Sequence, residues 1–219
     1  YKQREYLRAI EDYNQALRLD SNNPATFKNR GLAYDKLENH QQAIKDYSRA
    51  LTLNPDDPNT YSNRGRAYHD SGNYQQAIQD YDQALSYDPD NPNTIYNRGV
   101  AYYALGHYDY ALHDLNKTIE FDPNDAAAYL QRGLTYYNRG NYTLAMKDFD
   151  QAIRLDPDDS DAVYQKACTL ALLGQDDACV TWLTQAIEMD EEKREVAREN
   201  PDFEGLWYKP GFRRLFGYQ

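Results

Sequence analysis

Residues 58–91 read PNTYSNRGRAYHDSGNYQQAIQDYDQALSYDPDN, and this stretch decides the fold. Tyr61, Gly65, Tyr68, Ala77, Ile78, Tyr81, Ala84 and Leu85 fall mostly at the three-and-four spacing of one helix face. Ser71-Gly72-Asn73 interrupts them as a turn, so the stretch reads as two helices. Pro58 suits a first helical turn, where its missing N–H costs nothing. Asp88-Pro89 stops the second helix, because a residue before proline disfavours the α region.

Working outward, the pattern returns every 34 residues. Ala9, Ala43, Ala77, Ala111, Ala145 and Cys179 form one column, and Tyr13, Tyr47, Tyr81, Leu115, Phe149 and Leu183 a second. Gly31, Gly65, Gly99, Gly133 and Ala167 form a third, where lack of bulk lets backbones approach. A fourth is Tyr34, Tyr68, Tyr102, Tyr136 and Leu170, and Pro55, Pro89, Pro123 and Pro157 close the units.

These residues resemble the tetratricopeptide-repeat (TPR) family. A Gly is followed three residues later by Tyr, then by a Gly-x-Tyr turn (Gly72-Asn73-Tyr74, Gly106-His107-Tyr108, Gly140-Asn141-Tyr142), an Ala-x-x-x-Tyr/Phe pair and a closing Asp-Pro. The density of Asn-Arg-Gly and Asp-Pro is similar to that of bacterial, especially cyanobacterial, members. The resemblance implies an all-α fold, a right-handed superhelical α-solenoid of helix-turn-helix repeats with a C-terminal capping helix. It divides the chain into an array over 1–193 and a cap and tail over 194–219. Within the array, 1–23 holds the second helix of a partial first repeat, and the repeats follow at 24–57, 58–91, 92–125, 126–159 and 160–193.

The resemblance further implies that first helices line a concave groove holding an extended peptide or partner helix, as a scaffold or adaptor. Two alternatives stand beside it: a substrate-recruiting or regulatory arm of a larger enzyme, and a structural array that self-associates as a homo-oligomer through its open N-terminal helix. The expected groove contains an amide column, Asn29, Asn63, Asn97, Gln131 and Gln165. Amides both donate and accept, so such a row can hold a peptide backbone of any sequence. A similar asparagine ladder lines the TPR region of O-linked N-acetylglucosamine transferases. Flanking residues should set specificity: at the charged N-terminal end Lys28, Asp35, Lys36, Ser62, Arg66, His69 and Asp70. At the apolar C-terminal end they are Tyr96, Val100, Tyr103, Leu130, Leu134, Tyr137, Tyr164 and Cys168. The carboxylate clamp of chaperone-binding members is matched only by Lys28 and Asn63. Leu32, Asn93 and Asn97 depart from it.

A net charge of −11 with no basic run disfavours nucleic acid, and no apolar run approaches a membrane span. The 22 tyrosines against six phenylalanines suit a narrow interior with wet edges. Cys168 and Cys179 fit no zinc spacing and read as packed thiols. Four scattered histidines and the absence of a phosphate loop or nucleophile elbow argue against an enzyme, a cofactor or a metal site. The acidic loops at Asp88 and Asp156 lack an EF-hand's later ligands and read as helix caps. Asn116-Lys117-Thr118 and Asn141-Tyr142-Thr143 are formal glycosylation sequons, a pattern common by chance. A cytoplasmic location is the expectation.

Three departures from the repeat carry expectations of their own. The first unit begins midway, leaving Leu7, Ile10 and Leu17 to be covered by upstream sequence or a second copy. The last unit drifts at Ala167, Leu170, Trp182 and Glu191, and Glu191–Asn200 should form a solvated capping helix ended by Pro201. The tail carries Phe203, Leu206, Trp207, Phe212, Leu215 and Phe216, too apolar for a linker. It should fold back on the last helices in two short turns split by Pro210-Gly211; the alternative is a ligand segment offered to another copy.

A charge ladder completes the reading. Arg30, Arg64, Arg98, Arg132 and Lys166 stand on first helices, and Asp12, Asp46, Asp80, Asp114 and Asp148 on second helices. Pairing each base with the acid of the preceding unit uses every member, so pairing between repeats is expected.

Overall fold

In the computed structural model, which describes residues 2–218, the described chain is helical with no strand. Two compact units emerge, Tyr1–Thr118 and Ile119–Gln219. The first contains α1 (Lys2–Leu19), α2 (Pro24–Asp35), α3 (His40–Leu53), α4 (Pro58–Asp70), α5 (Tyr74–Tyr87), α6 (Pro92–Ala104) and most of α7 (Tyr108–Phe121). The second contains α8 (Ala126–Asn138), α9 (Tyr142–Leu155), α10 (Ser160–Leu172), α11 (Asp176–Met189) and α12 (Glu192–Glu199). It ends in a 3₁₀ helix, Pro201–Leu206, and α13 (Pro210–Leu215).

Each first helix starts at an N-cap carried by the repeat itself. The side chains of Asn23, Asp57, Asn91, Asp125 and Asp159 accept backbone N–H bonds from the opening turns of α2, α4, α6, α8 and α10. Such caps satisfy donors that the helix cannot satisfy internally. The turns into second helices need one left-handed residue, supplied by Gly72, Gly106, Gly140 and Gly174. Glu38 holds the matching place in the first complete repeat, at φ 58°, without glycine's freedom.

Inside each repeat, the glycine column faces the aromatic column. A Cβ on Gly31, Gly65 or Gly133 would stand 2.7, 2.8 or 2.6 Å from the ring of Tyr47, Tyr81 or Phe149. What these glycines admit is chiefly a ring of the partner helix. Where the ring becomes Leu115, the nearest side-chain atoms to Gly99 retreat to 3.2–3.3 Å, and in the last repeat a buried Ala167 accompanies Leu183. The two columns change size together because they fill one volume.

The ladder corrects the expectation of pairing between repeats. Arg30 binds Asp46 of its own repeat through Nε at 2.7 Å and Nη2 at 2.6 Å. Arg64–Asp80, Arg98–Asp114 and Arg132–Asp148 repeat this two-pronged contact. A flat guanidinium matches both oxygens of one carboxylate, and the helical hairpin presents that carboxylate from its own second helix. The remaining Nη1 reaches back one repeat to a different column: Asn14 at 2.6 Å, Ser48 at 3.0 Å and Asp82 at 2.7 Å for Arg30, Arg64 and Arg98. Neither end of the series is frustrated. Asp12 is exposed, and Lys166 lies 3.5 Å above the Trp182 ring while pairing with Asp150 of the preceding repeat at 2.5 Å.

After α12 the chain returns to the last helix pair. Phe203, Leu206, Phe212 and Phe216 join Val163, Leu170, Leu183 and Ile187 in one buried cluster, with Phe203 and Phe212 fully buried. Burial pushes the Cys179 thiol in this cluster up to about 12, and raises Cys168 beyond its ordinary range. Both are free, buried thiols with little thiolate to react.

Candidate peptide-binding faces

In the first unit, the first helices α2, α4 and α6 are neighbours. Together they line an open cavity of about 630 Å³. From α2 come Lys28 and Leu32; from α4 and its start, Asn59, Ser62, Asn63 and Arg66; from α6 and its cap, Asn91, Asn93, Thr94, Tyr96 and Asn97. A second depression of about 230 Å³ shares Arg66, Tyr96 and Asn97 with it and adds His69, Asp70, Tyr81 and Val100. Lys28, Asn63, Arg66, His69, Tyr96, Asn97 and Val100, separated by up to 72 positions in the chain, are thus brought to one surface. Asn29 is exposed and lines neither space. Tyr103 is half-buried, its ring 6.1 Å from that of Tyr108.

Two carboxylates outside the lining of the larger cavity hold its cations in place. Lys28 Nζ donates to Asp57 Oδ2 at 2.9 Å, and Arg66 Nη2 donates to Asp35 Oδ2 at 2.9 Å. Burial favours the protonated form of Asp57, but the hydrogen bonds from Lys28 and Thr60 outweigh it and hold the carboxyl below its ordinary range. Asp35 is buried and also faces His40 Nδ1 at 3.0 Å. Asp35, His40 and Asp70 bring their ligand atoms within 4.8 Å of one another, the one such cluster among the described residues. Arg66 already supplies the cation there.

In the second unit the corresponding columns are occupied by the chain itself. Adding multiples of 34 carries Lys28, Ser62 and Tyr96 to Leu130 and Tyr164; Leu32, Arg66 and Val100 to Leu134 and Cys168; and Asp35, His69 and Tyr103 to Tyr137. Tyr137 donates its hydroxyl proton to Asp202. Asn200 Nδ2 donates to Tyr164 Oη at 2.8 Å and lies 3.4 Å from Cys168 Sγ. The Phe203 ring stands edge-on to Tyr164, centroids 6.0 Å apart. Leu130, Gln131, Leu134 and Gln165 are half-buried. The Gln131 Nε2 is a buried donor with no acceptor among the described residues.

Sequence reasoning anticipated these columns as groove but missed that Asn200, Asp202 and Phe203 would occupy them. The apolar density of the tail signalled docking without indicating the face. Asn59, Asn91 and Asn93 were also missed as lining residues. The available signal was the place of Asn59 and Asn93 one turn before the amide column, and of Asn91 at the cap of its first helix.

Family comparisons agree with this architecture. TPR-repeat models match residues 1–38 and 65–106, and tetratricopeptide-repeat models match 24–57, 92–125 and 126–159 and again 47–79 and 149–181. The chain belongs to the tetratricopeptide-repeat family, whose members are typically non-catalytic scaffolds that bind proteins or peptides.

Among solved structures, the fold is similar to that of YrrB, described as a TPR protein with an unusual peptide-binding site, at 23% identity and a TM-score of 0.69 over 87% of this chain and 100% of that one. It is similar also to a MamA protein, at 22% identity and a TM-score of 0.69 over 78% and 94%, and to MamA from Desulfovibrio magneticus RS-1, at 20% and 0.73 over 77% and 96%. No curated protein sequence matches the chain. Among the described residues no helix is long and apolar enough to cross a membrane.

Proposed function

We propose that this protein is a scaffold or adaptor that holds a non-helical segment of a partner protein on the open face of α2, α4 and α6, around Asn63, Arg66, Tyr96 and Asn97. The observation that carries this reading is intramolecular. Columns that line the open cavity and the depression beside it in the first unit grip Asn200–Phe203 in the second, through Tyr137, Tyr164 and Cys168. The chain thereby contains its own example of a segment held on first helices. The side-chain amides of Asn63 and Asn97 make no hydrogen bond among the described residues and line the cavity, ready for a peptide backbone. In this reading 1–193 is the binding array and 194–219 a cap whose first part doubles as a resident ligand. A cytoplasmic setting fits the two free thiols.

The test is selection of displayed random peptides on the immobilised full chain, followed by measurement on Asn63→Ala/Asn97→Ala. Selected peptides should bind the wild type and lose most of that affinity on the folded variant. Peptides that bind both proteins equally would remove the groove from the account.

A further inference from the structure

The two faces share columns but differ in chemistry. Around the tail, Tyr164, Cys168 and Tyr137 offer aromatic and apolar surface with hydroxyl groups, and they hold an amide, a carboxylate and a phenyl ring. In the open cavity, Lys28 and Arg66 stand among asparagines, and no acidic residue among those described lines the space, the nearest lining acid being Asp70 of the smaller depression that shares Arg66. That is unusual ground in a chain of net charge −11.

The cations are not exhausted by their structural partners. Lys28 gives one of its three donors to Asp57, and Arg66 one of its five to Asp35. Their side chains remain 29% and 38% exposed. Each is therefore fixed from behind by a carboxylate and keeps donors free, which lowers the entropic cost of gripping a ligand.

Resting on the peptide-binding reading above, we infer that the open cavity selects an acidic segment, one whose Asp or Glu side chain is taken by Lys28 and Arg66 while Asn63 and Asn97 hold its backbone. Charge complementarity distinguishes this occupant from the others. The ring that receives Phe203 has its counterpart in Tyr96, which lines the cavity, so it is charge that separates an acidic segment from one like the protein's own tail: Lys28 and Arg66 offer spare donors to a carboxylate, and a basic segment would meet two like charges. Because the cations are partly exposed, their contribution falls with salt.

The experiment measures fluorescence anisotropy of three labelled peptides on one extended Ser/Ala frame, bearing Asp, Asn or Lys at alternate positions, with the full-length protein. The Asp peptide should bind about tenfold more tightly than its Asn counterpart, with the Lys peptide weakest. Lys28→Gln should erase most of that preference while the circular dichroism spectrum shows the helical fold retained, whereas Asn63→Ala/Asn97→Ala should weaken Asp and Asn peptides alike. Lys28→Gln is the primary variant because Arg66→Gln would strip the buried Asp35 of its counter-ion.

Equal affinity for Asp and Asn peptides, both dependent on Asn63 and Asn97, would overturn the acidic preference and leave the groove standing. Absence of binding by all three peptides overturns this inference, and the groove itself falls only if the selected peptides also ignore Asn63 and Asn97. A preference for a peptide copied from residues 199–208 over the Asp peptide would assign the face to the tail of a second copy and overturn the inference too.

Discussion

The first unit leaves its first-helix face open, and the second covers the same face with its own chain. Both are made from one repeat, so the difference lies in a few column positions. Lys28, Ser62 and Arg66 keep the open face wet, while Tyr164, Cys168 and Tyr137 let an apolar tail settle. One scaffold can therefore leave one face open and cover another with its own chain. Each role depends on what the variable columns carry.

The largest expected break in this comparison is Phe203→Ala. The ring is fully buried against Tyr164 and Phe212, and its removal should destabilise the second unit by about 3–5 kcal/mol. Hydrogen exchange should show faster opening of α10 and α11 with the first unit unchanged. If protection of α10 and α11 survives, the tail is an ornament on the second unit.

Next in size is a matched pair of glycine substitutions. Gly133→Ala drives a methyl group into Phe149 and should cost about 1–3 kcal/mol in urea denaturation. Gly99→Ala, facing the smaller Leu115, should cost clearly less. Equal losses would mean that the columns do not share one volume.

Acid should weaken the first unit through Asp57. Asp57 has its folded pKa below the unfolded value, so its contribution is present above about pH 4 and is lost as pH falls through the lowered value. Asp57→Asn keeps a cap for α4 but loses the Lys28 ion pair, and its stability should change less between pH 5 and pH 2 than the wild type's. The smallest effect expected is Glu38→Gly, which relieves a left-handed residue in the first unit and should raise its stability by about 1 kcal/mol. A loss there would show that the Glu38 side chain contributes more than its backbone costs.

Much of the fold was legible because a repeat states its rules several times. Gly against ring, Asp before Pro and the Asn or Asp caps recur at one spacing, and each has a local physical cause. The ladder was misread because counting partners along the chain ignores geometry. A guanidinium can bind one carboxylate with two donors and still reach a second repeat with a third, and a lysine can exchange its carboxylate for Trp182. The candidate site was legible as columns but not as two states of occupancy. Whether a face is open depends on where a non-repeating tail lands, and nothing periodic encodes that. The apolar residues from Phe203 to Phe216 announced burial, while Asn200 and Asp202, which tie the tail to Tyr164 and Tyr137, carried no signal beyond their place beside Pro201.

The most direct test of the central claim, that one set of columns holds the tail in the second unit and a partner in the first, is an NMR titration of the ¹⁵N-labelled full chain with a selected peptide. The side-chain amide signals of Asn63 and Asn97 should shift with saturation while that of Asn200 stays fixed. Movement of Asn200 with Asn63 and Asn97 unchanged would contradict the account, because it would put the partner in the tail's place and leave the open face without a role.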